Sequence, residues 1–233
     1  MIPLLALYTC HAYNYDMRGM VPYPVRPQML RRPAIKATWL QDVDIPYRWF
    51  FGKHTEGNQP GEDEVFLDCP DDYYSLPHKT QAIAQWAIAN GFDRVFKVDD
   101  DTFIHWDRFK TRPCFQDVEY SGGCWDGSSH AYGGCYVMAG KMLDAVAFTP
   151  IERGTWGEDS WVGSVAKKNG VAFTRDDTFH YGSVDVHTNV QAVDDSLLET
   201  AHGYSVLNPL TPEQMLRYYA AAKREASELG QSR

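Results

Sequence analysis

The sequence predicts an α/β fold in which a single mixed sheet is flanked by helices. Short apolar runs typical of buried strands alternate along the chain with helical segments, an order that favours crossover connections. The 233 residues suit one domain, and 44% hydrophobic residues suffice for a substantial core. With 31 acidic and 22 basic residues, the net charge of −9 disfavours general electrostatic binding to nucleic acid or anionic membranes.

Five short runs of apolar, β-branched and aromatic residues predict the strands of this sheet. They cover residues 2–11, 47–52, 65–67, 94–98 and 133–139. The clearest of them are almost continuously apolar, which is typical of strands covered on both faces. We therefore expect the first strand to be buried although it stands at the start of the chain.

Five further segments have helical periodicity or carry signals of helix ends. They cover residues 33–40, 75–90, 141–148, 159–169 and 212–229. Pro33 suits the first turn of the first helix, and Gly91 and Gly170 are typical stops after the second and fourth. The proline-rich residues 16–33 predict a loop, and residues 1–36 carry a local net charge of +4.

The cysteine pattern and the lack of long apolar segments predict a cytoplasmic protein. The 5 cysteines include no CxxC pair, which disfavours a zinc knuckle, and a chain of this size does not depend on disulfides. We expect reduced thiols, with one bridge among Cys114, Cys124 and Cys135 as the alternative. No segment reaches the ~20 apolar residues of a membrane span, and residues 2–8 lack the features of a signal peptide. A lumenal location follows only if the sequence is part of a longer chain.

The most informative feature is a run of three aspartates after a predicted buried strand. Asp99, Asp100 and Asp101 directly follow residues 94–98, and open α/β sheets bind ligands at the carboxyl ends of their strands. Adjacent carboxylates repel each other, and a divalent cation commonly offsets that repulsion. A solvated acidic turn is the alternative. Because the flanking residues are hydrophobic, and residues 62–101 carry a net charge of −7, we favour a metal site.

A second acidic pair lies at the predicted start of a helix. Glu158 and Asp159 stand between Trp156 and Trp161, and a helix N-terminus stabilises ionised carboxylates. Capping by Asp159 is the simpler explanation of the pair. The neighbouring tryptophans and glycines favour a ligand site, because glycine permits close approach and tryptophan offers an apolar face to a sugar ring.

Six segments carry motifs that occur in a fixed order. They are RRPAIKATW at 31–39, WFFG at 49–52, DDYYSLPHKT at 71–80, VDDDTF at 98–103, YGGCYVMA at 132–139 and EDSWVG at 158–163. Together they resemble the inverting β-1,3-glycosyltransferases, the group of the β-1,3-galactosyl- and N-acetylglucosaminyltransferases with its Fringe-like branch. The resemblance covers about residues 2–190. It implies a single GT-A catalytic domain over 1–233, a nucleotide-sugar-binding fold, with residues 191–233 as an extension that contains the helix near 212–229.

The resemblance also implies a donor, a cation and roles for single residues. The donor would be a UDP-sugar, and the cofactor Mn²⁺ or another divalent cation. Asp101 and His180 correspond to metal ligands, with His187 as the fallback, and Asp159 corresponds to the catalytic base. The residues expected near the donor are Asp99, Asp100, Arg32, Asp71 and Lys79, and those expected at the acceptor site are Trp156, Trp161 and Glu158.

These roles predict a single displacement in which Asp159 takes the proton of an acceptor hydroxyl. The expected acceptor is a glycan, a protein or another hydroxyl compound, and no membrane partner is expected. A nucleic acid with hydroxylated bases is an alternative acceptor, which the local +4 favours and the overall −9 disfavours. Two other functions stay open at this point. One is a non-catalytic nucleotide- or sugar-binding module on the same fold, and the other is a metal-dependent phosphohydrolase built on the aspartates.

Overall fold

The computed structural model describes residues 2–9, 27–53, 59–155, 157–184, 191–192 and 204–231. The strands are β1 (Pro3–Tyr8), β2 (Tyr47–Phe51), β3 (Glu64–Phe66), β4 (Arg94–Asp99), β5 (Phe103–Ile104), β6 (Tyr120–Gly122), β7 (Cys135–Ala139), β8 (Thr174–Arg175), β9 (Phe179–Tyr181), β10 (Ser183–Val184), β11 (Gln191–Ala192) and β12 (Val206–Asn208). The helices are α1 (Pro27–Ala37), α2 (Leu76–Ala89), α3 (Trp106–Phe109), α4 (Gly140–Phe148), α5 (Glu158–Lys168) and α6 (Pro212–Gln231).

A seven-stranded mixed sheet forms the centre, in the order β3-β2-β1-β4-β7-β6-β8. The strands β1 to β4 are parallel, and β7 is antiparallel to both β4 and β6. The strand order reverses at β1, because β2 and β3 extend the sheet on one side of it and β4 lies on the other. Such a reversal opens a crevice at the carboxyl ends of the two strands. The predicted α/β fold with a single main sheet flanked by helices is confirmed.

Apolar side chains cover both faces of this sheet. On one face, Leu5 and Phe96 pack with residues of α1, α3 and α6. On the other, Leu4 and Val95 pack with residues of α2, α4 and α5. Successive residues of a strand point to opposite faces, so a strand buried on both sides is apolar at nearly every position. This continuous apolar pattern is why β1 could be recognised in the sequence, whereas β4 was recognised by its β-branched and aromatic residues Val95, Phe96 and Val98.

A smaller sheet connects the C-terminal part of the chain to the aspartate region. β12 pairs antiparallel with β5 and parallel with β9. The helix α6 buries Met215 and Tyr218 against the main core, and Glu225 accepts two hydrogen bonds from Arg108 of α3, at 2.7 and 2.8 Å. The described residues 204–231 therefore pack against the main core.

The first helix begins earlier than the sequence indicated. Pro27 occupies its first turn, and Pro33 lies inside the helix, where it cannot donate a backbone hydrogen bond to the preceding turn. The prediction that Pro33 lies in the first turn is therefore wrong, because Pro27 has that position. Residues 27–33 of the predicted loop are helical, and the rest of that loop, residues 16–26, lies outside the described residues.

Cys69, Cys114, Cys124 and Cys135 are free thiols, so the alternative bridge among the last three is absent from the structure. In the part of the chain that the structure describes, no helix has the length and apolar character needed to cross a membrane.

Candidate functional site

The carboxyl ends of β1 and β4 lie side by side, with Tyr8 opposite Asp99 in the parallel pairing. Thr9 follows β1, and its Oγ1 donates to Asp100 Oδ2 at 2.7 Å. The run of three aspartates that the sequence singled out therefore lies in the crevice where the strand order reverses. In open α/β sheets this crevice is the usual place for a ligand.

One buried ammonium group, that of Lys97, forms ion pairs with two carboxylates at the end of β4. Lys97 Nζ lies 2.6 Å from Asp99 Oδ1 and 3.2 Å from Glu158 Oε1, and only 1% of Lys97 is exposed. Burial disfavours the charged ammonium, but the two carboxylates outweigh it and raise the pKa of Lys97. Burial raises the pKa of Asp99 and of Glu158, and repulsion from Asp101 and Asp159, respectively, adds to each shift. The single Lys97 ammonium lies between two carboxylates and can offset the formal charge of only one of them, which favours a further cation.

Aromatic rings hold the lysines in place. The ring of Tyr8 lies 4.7 Å from Lys97 Nζ and 5.0 Å from Lys79 Nζ, within the range of a cation–π contact. The hydroxyl of Tyr136 donates to Glu158. These buried rings and charges form one network beneath the crevice, so the orientation of Asp99 depends on residues of β1, β4 and β7.

Lys79 and Asp71, both expected near the donor, contact each other at the edge of the same crevice. Lys79 is 2% exposed and donates to Asp71 Oδ1 and to the carbonyl oxygen of Thr9. Asp71 Oδ1 also accepts the backbone N–H of Gly52 at 2.8 Å. A side chain at Gly52 would meet Asp71 Cβ at 2.7 Å, so this approach requires glycine. The pair joins the ends of β1 and β2.

The two adjacent arginines of α1 have different partners. Arg31 Nη1 lies 3.0 Å from Asp100 Oδ1 and 3.6 Å from Asp101 Oδ2. Arg32 Nη2 lies 2.5 Å from Glu64 Oε1, away from the aspartates. Neighbouring residues of a helix point about 100° apart, so only one of the two can face the site. The sequence placed Arg32 near the donor, whereas the structure brings Arg31 to the aspartates.

Asp101 is held by the C-terminal segment. Asn208 Nδ2 donates to Asp101 Oδ1 at 2.6 Å and to Thr102 Oγ1 at 2.8 Å. The Asn208 residue is only 4% exposed. The strand β12 therefore takes part in forming the candidate site, although its residues lie outside the part of the chain that carries the motifs.

The second acidic pair divides between the core and the surface. Asp159 lies half-buried in the first turn of α5, where its Oδ1 accepts the backbone N–H of Ser160 at 2.7 Å. Glu158 is 6% exposed against Lys97, and Trp161 is 6% exposed on the apolar face of α5. The sequence suggested that Glu158 and Trp161 lie at the acceptor site. In the structure neither of them offers an accessible surface to an acceptor. Trp156 lies outside the described residues.

The strand β9 presents Tyr181, and not His180, to the aspartates. Neighbouring side chains of a strand point to opposite faces. The His180 ring lies 4.8 Å from that of Tyr204, and burial lowers the pKa of His180. Burial raises the pKa of Tyr181, and the negative charges of Asp99 and Asp101 add to that shift. The structure thus does not bring His180 to Asp101.

The donor set fits a cation that also binds substrate oxygens. Among the described residues, no group of three or more His, Cys, Asp or Glu side chains is placed to hold a metal ion by itself. Asp99 and Asp101 still supply two neighbouring carboxylates, and cations at nucleotide sites are commonly held by one or two carboxylates, phosphate oxygens and water. The residues therefore fit a cation that binds together with a diphosphate. His187, the fallback ligand, lies outside the described residues.

Four residues at the site were not singled out from the sequence: Arg31, Lys97, Tyr181 and Asn208. Lys97 carried a detectable signal, because a lysine inside an apolar strand requires a buried partner. Arg31 appeared only as part of a motif. Asn208 gave no local signal, since its contact with Asp101 spans more than a hundred residues of sequence.

Comparisons with known proteins rest on structure alone, because no protein-family model and no curated protein sequence matches the chain. The chain is similar to a candidate nucleotide-diphospho-sugar transferase from Desulfovibrio desulfuricans G20, with a TM-score of 0.51 and 13% identity, over 76% of this chain and 80% of that one. The chain has a GT-A-type fold. At this identity the GT-A likeness shows the fold and nothing finer.

Two further solved structures have lower TM-scores. One is a glycosyltransferase involved in the glycosylation of the major capsid of PBCV-1, with a TM-score of 0.48, 10% identity and coverage of 92% of this chain and 99% of that one. The other is the catalytic domain of Drosophila β1,4-galactosyltransferase 7 in complex with xylobiose, with a TM-score of 0.45, 11% identity and coverage of 76% and 66%.

Proposed function

We propose that this GT-A chain is a metal-dependent inverting glycosyltransferase that transfers a sugar from a UDP-sugar to an acceptor hydroxyl. One observation carries the proposal. Asp99 and Asp101 lie at the carboxyl end of β4, beside β1, where the strand order reverses and where this class of sheet binds ligands. The six ordered motifs support the more specific assignment to the inverting β-1,3 group.

The donor end of the reaction is assigned to Asp101, Asp99 and Arg31. Asp101 and Asp99 would hold a divalent cation such as Mn²⁺, which when bound stabilises the negative charge of the departing nucleotide. Arg31, 3.6 Å from Asp101 Oδ2, adds a guanidinium group to the same region and suits a diphosphate. Lys97 remains buried and keeps Asp99 oriented toward the crevice.

The acceptor end is assigned to Asp159. A base is needed to take the proton of the attacking hydroxyl, and Asp159 offers a half-buried carboxylate in the first turn of a helix for that task. The negative charges of Asp99, Asp101 and Asp159 all raise the pKa of Tyr181, which supports a position of Asp159 near the candidate donor site. Inversion needs no enzyme nucleophile, so one base suffices.

The test is UDP release from UDP-glucose, UDP-galactose and UDP-N-acetylglucosamine with Mn²⁺. Slow release is expected with one donor, and chelation of the metal should abolish it. Asp101→Ala and Asp159→Asn should each abolish it as well, while Asp144→Asn, an exposed carboxylate on α4, should leave it unchanged. If both site variants keep full activity, the site assignment is wrong.

Further assays on the same protein separate the alternatives. A non-catalytic binding module would bind UDP with Mn²⁺ and release none from any donor. A phosphohydrolase would cleave a simple phosphodiester such as bis-p-nitrophenyl phosphate, and an acceptor nucleic acid would become labelled when radioactive donor is supplied. Either of the first two results would replace the proposed reaction, and the third would identify nucleic acid as its acceptor.

A further inference from the structure

Three aromatic rings contact one another beside the candidate site. Tyr132 lies 4.3 Å from Tyr181 and 5.6 Å from Trp125, and Trp125 meets Tyr181 edge-on at 5.1 Å. Tyr132 is 7% exposed, whereas Trp125 is 50% exposed. The two tyrosines thus support a tryptophan that presents an aromatic surface to solvent. We call these three residues the aromatic platform.

The loop that carries Trp125 is held in one conformation. Ser128 N donates to the carbonyl oxygen of Trp125 at 2.9 Å, and Gly127 has a φ of 81°, a positive value that a type II turn requires at this position. Tyr132 N donates to the carbonyl oxygen of Gly123 at 3.0 Å and closes the loop at its base. A surface fixed in this way loses little conformational entropy when a ligand binds to it.

The tyrosines are fixed as well. The Tyr132 hydroxyl donates to the carbonyl oxygen of Phe179 at 2.6 Å, which ties it to β9. A side chain at Gly123 would meet the Tyr132 hydroxyl at 2.3 Å, so glycine is needed for the ring to lie where it does. The platform is therefore a built feature of the fold and not a chance exposure of one tryptophan.

The platform adjoins the candidate site on two sides. Gly133 follows Tyr132, and a Cβ atom added at Gly133 would lie 3.2 Å from Glu158 Oε2 and 4.0 Å from Asp99 Oδ2. On the other side Tyr181 is paired with Asn208, which donates to Asp101 Oδ1 at 2.6 Å. A molecule stacked on the platform would thus have a neighbouring group within reach of the aspartate region.

The charges around the platform indicate which ligands it can accept. Asp126 and Asp177 are 95% and 78% exposed, and both are paired with the same residue, Arg175, at the edge of the platform. These three charged residues together carry a net negative charge, which disfavours phosphate groups. An uncharged ring with an apolar face fits this setting better than a polyanion.

We propose that Trp125, supported by Tyr132 and Tyr181, binds the pyranose ring of a neutral glycan acceptor. The apolar face of a pyranose, formed by its axial C–H groups, complements the negative face of an aromatic ring. The inference rests on the proposed function, which it deepens by naming the acceptor class. It also moves the acceptor surface from the buried Trp161 to the half-exposed Trp125.

The test measures binding of cellobiose, lactose and maltose by saturation-transfer NMR and calorimetry, with and without UDP and Mn²⁺. At least one disaccharide should bind, and Trp125→Ala should raise its Kd by about fivefold or more, the worth of one good aromatic contact. Phe148→Ala removes an aromatic side chain that is 70% exposed on α4 and is the matched control. Equal melting temperatures of the variants would show that both fold.

The inference is wrong if no disaccharide binds, if Trp125→Ala binds as well as the wild type, or if Phe148→Ala weakens binding equally. Binding of oligothymidylate that depends on Trp125 would overturn it in favour of a nucleic-acid acceptor. UDP release from the donor alone is measured in parallel. If release occurs but Trp125 does not matter for sugar binding, the platform fails and the proposed transferase stands. If Trp125-dependent sugar binding occurs without release from any donor, the platform stands and the transferase fails.

Discussion

Lys97 Nζ and Asp99 Oδ1 lie 2.6 Å apart at the carboxyl end of β4, and the lysine side chain is almost completely buried. The ion pair fixes the first of the three aspartates against the sheet. Glu158, 3.2 Å from the same ammonium group, links the pair to the start of α5. The two acidic motifs that lie about sixty residues apart in sequence are thus joined through one lysine.

Removing this lysine should destabilise the fold strongly. Lys97→Met would leave the buried Glu158 carboxylate, and the Asp99 carboxylate that is 32% exposed, without their cation. Breaking a buried ion pair on one side costs about 3–5 kcal/mol. Urea unfolding at pH 7 would measure the loss. Lys53→Met is the matched control, because its pair with Asp68 is 69% and 91% exposed and should contribute less than about 0.5 kcal/mol. Equal losses in the two variants would contradict the role of Lys97.

Replacing each of the two neighbouring arginines in turn should distinguish their roles. Arg31→Gln should weaken binding of UDP with Mn²⁺ by about tenfold, since a charge-assisted hydrogen bond contributes about 1.5–3 kcal/mol. Arg32→Gln should change that affinity by less than about twofold, because Arg32 pairs with Glu64 and lies over Trp49. Calorimetry with UDP and Mn²⁺ measures both. The reverse pattern would restore the assignment of Arg32 that was made from the motif.

A buried aspartate outside the site should make the free energy of unfolding decrease at acidic pH. Asp176 is 4% exposed and accepts Arg112 Nε and Nη2, both at 2.8 Å, and Thr178 Oγ1 at 2.7 Å. Burial opposes its ionisation, but these hydrogen bonds outweigh burial and lower the pKa of Asp176 from the ordinary 3.8. When the pKa of a carboxyl group is lower in the folded state, its ionisation stabilises the fold at every pH above the pKa of the unfolded state. This contribution is lost as the pH falls through the pKa of the folded state.

The free energy of unfolding of Asp176→Asn should therefore be about 2–3 kcal/mol below that of the wild type at pH 7, and the gap should narrow below pH ~3. Urea titrations across this range would measure it. Asp117→Asn, which alters an exposed carboxylate, should show no such gap. A gap that stays constant with pH would mean that Asp176 contributes through packing and not through its charge.

The strands and helices of the scaffold could be predicted well, because each of them depends on a local pattern of residues in the sequence. A continuous apolar run predicted β1, β-branched and aromatic residues predicted β4, and glycines predicted the ends of α2 and α5. The aspartates were found because charge directly after a buried strand is conspicuous. The end of β4 is in the crevice, as expected, because the strand order reverses beside β1.

The parts of the site that sequence reasoning missed depend on long-range geometry. Which of Arg31 and Arg32 faces the aspartates is set by the rotation of α1 against the sheet, and a motif does not encode that rotation. Asn208 reaches Asp101 only because β12 pairs with β5 and β9. Trp161 looked like a sugar-binding residue beside an acidic pair, but it lies on the apolar face of α5 and is needed by the core.

A single methyl group should disturb the contact between Asn208 and Asp101. In Gly134→Ala the new Cβ would lie 2.4 Å from Asn208 Cγ, too close for any real side chain, and Asn208 is buried with little room to move. Overpacking of this kind costs about 1–3 kcal/mol, which urea unfolding would detect. Because displaced Asn208 would no longer hold Asp101, binding of UDP with Mn²⁺ should weaken as well. Gly61→Ala, whose nearest contact would be an ordinary 3.4 Å, is the matched control.

The double variant Gly134→Ala with Asn208→Ala separates the two effects of this substitution. Removing the Asn208 amide makes room for the new methyl group, so part of the lost stability should return. The Asp101 carboxylate would still lack its donor, so the weakened binding of UDP with Mn²⁺ should persist. If stability and binding recover together, the clash alone explains the single variant and Asn208 has no positioning role at Asp101. If Gly134→Ala has the same free energy of unfolding as the wild type, Gly134 and Asn208 do not lie in close contact.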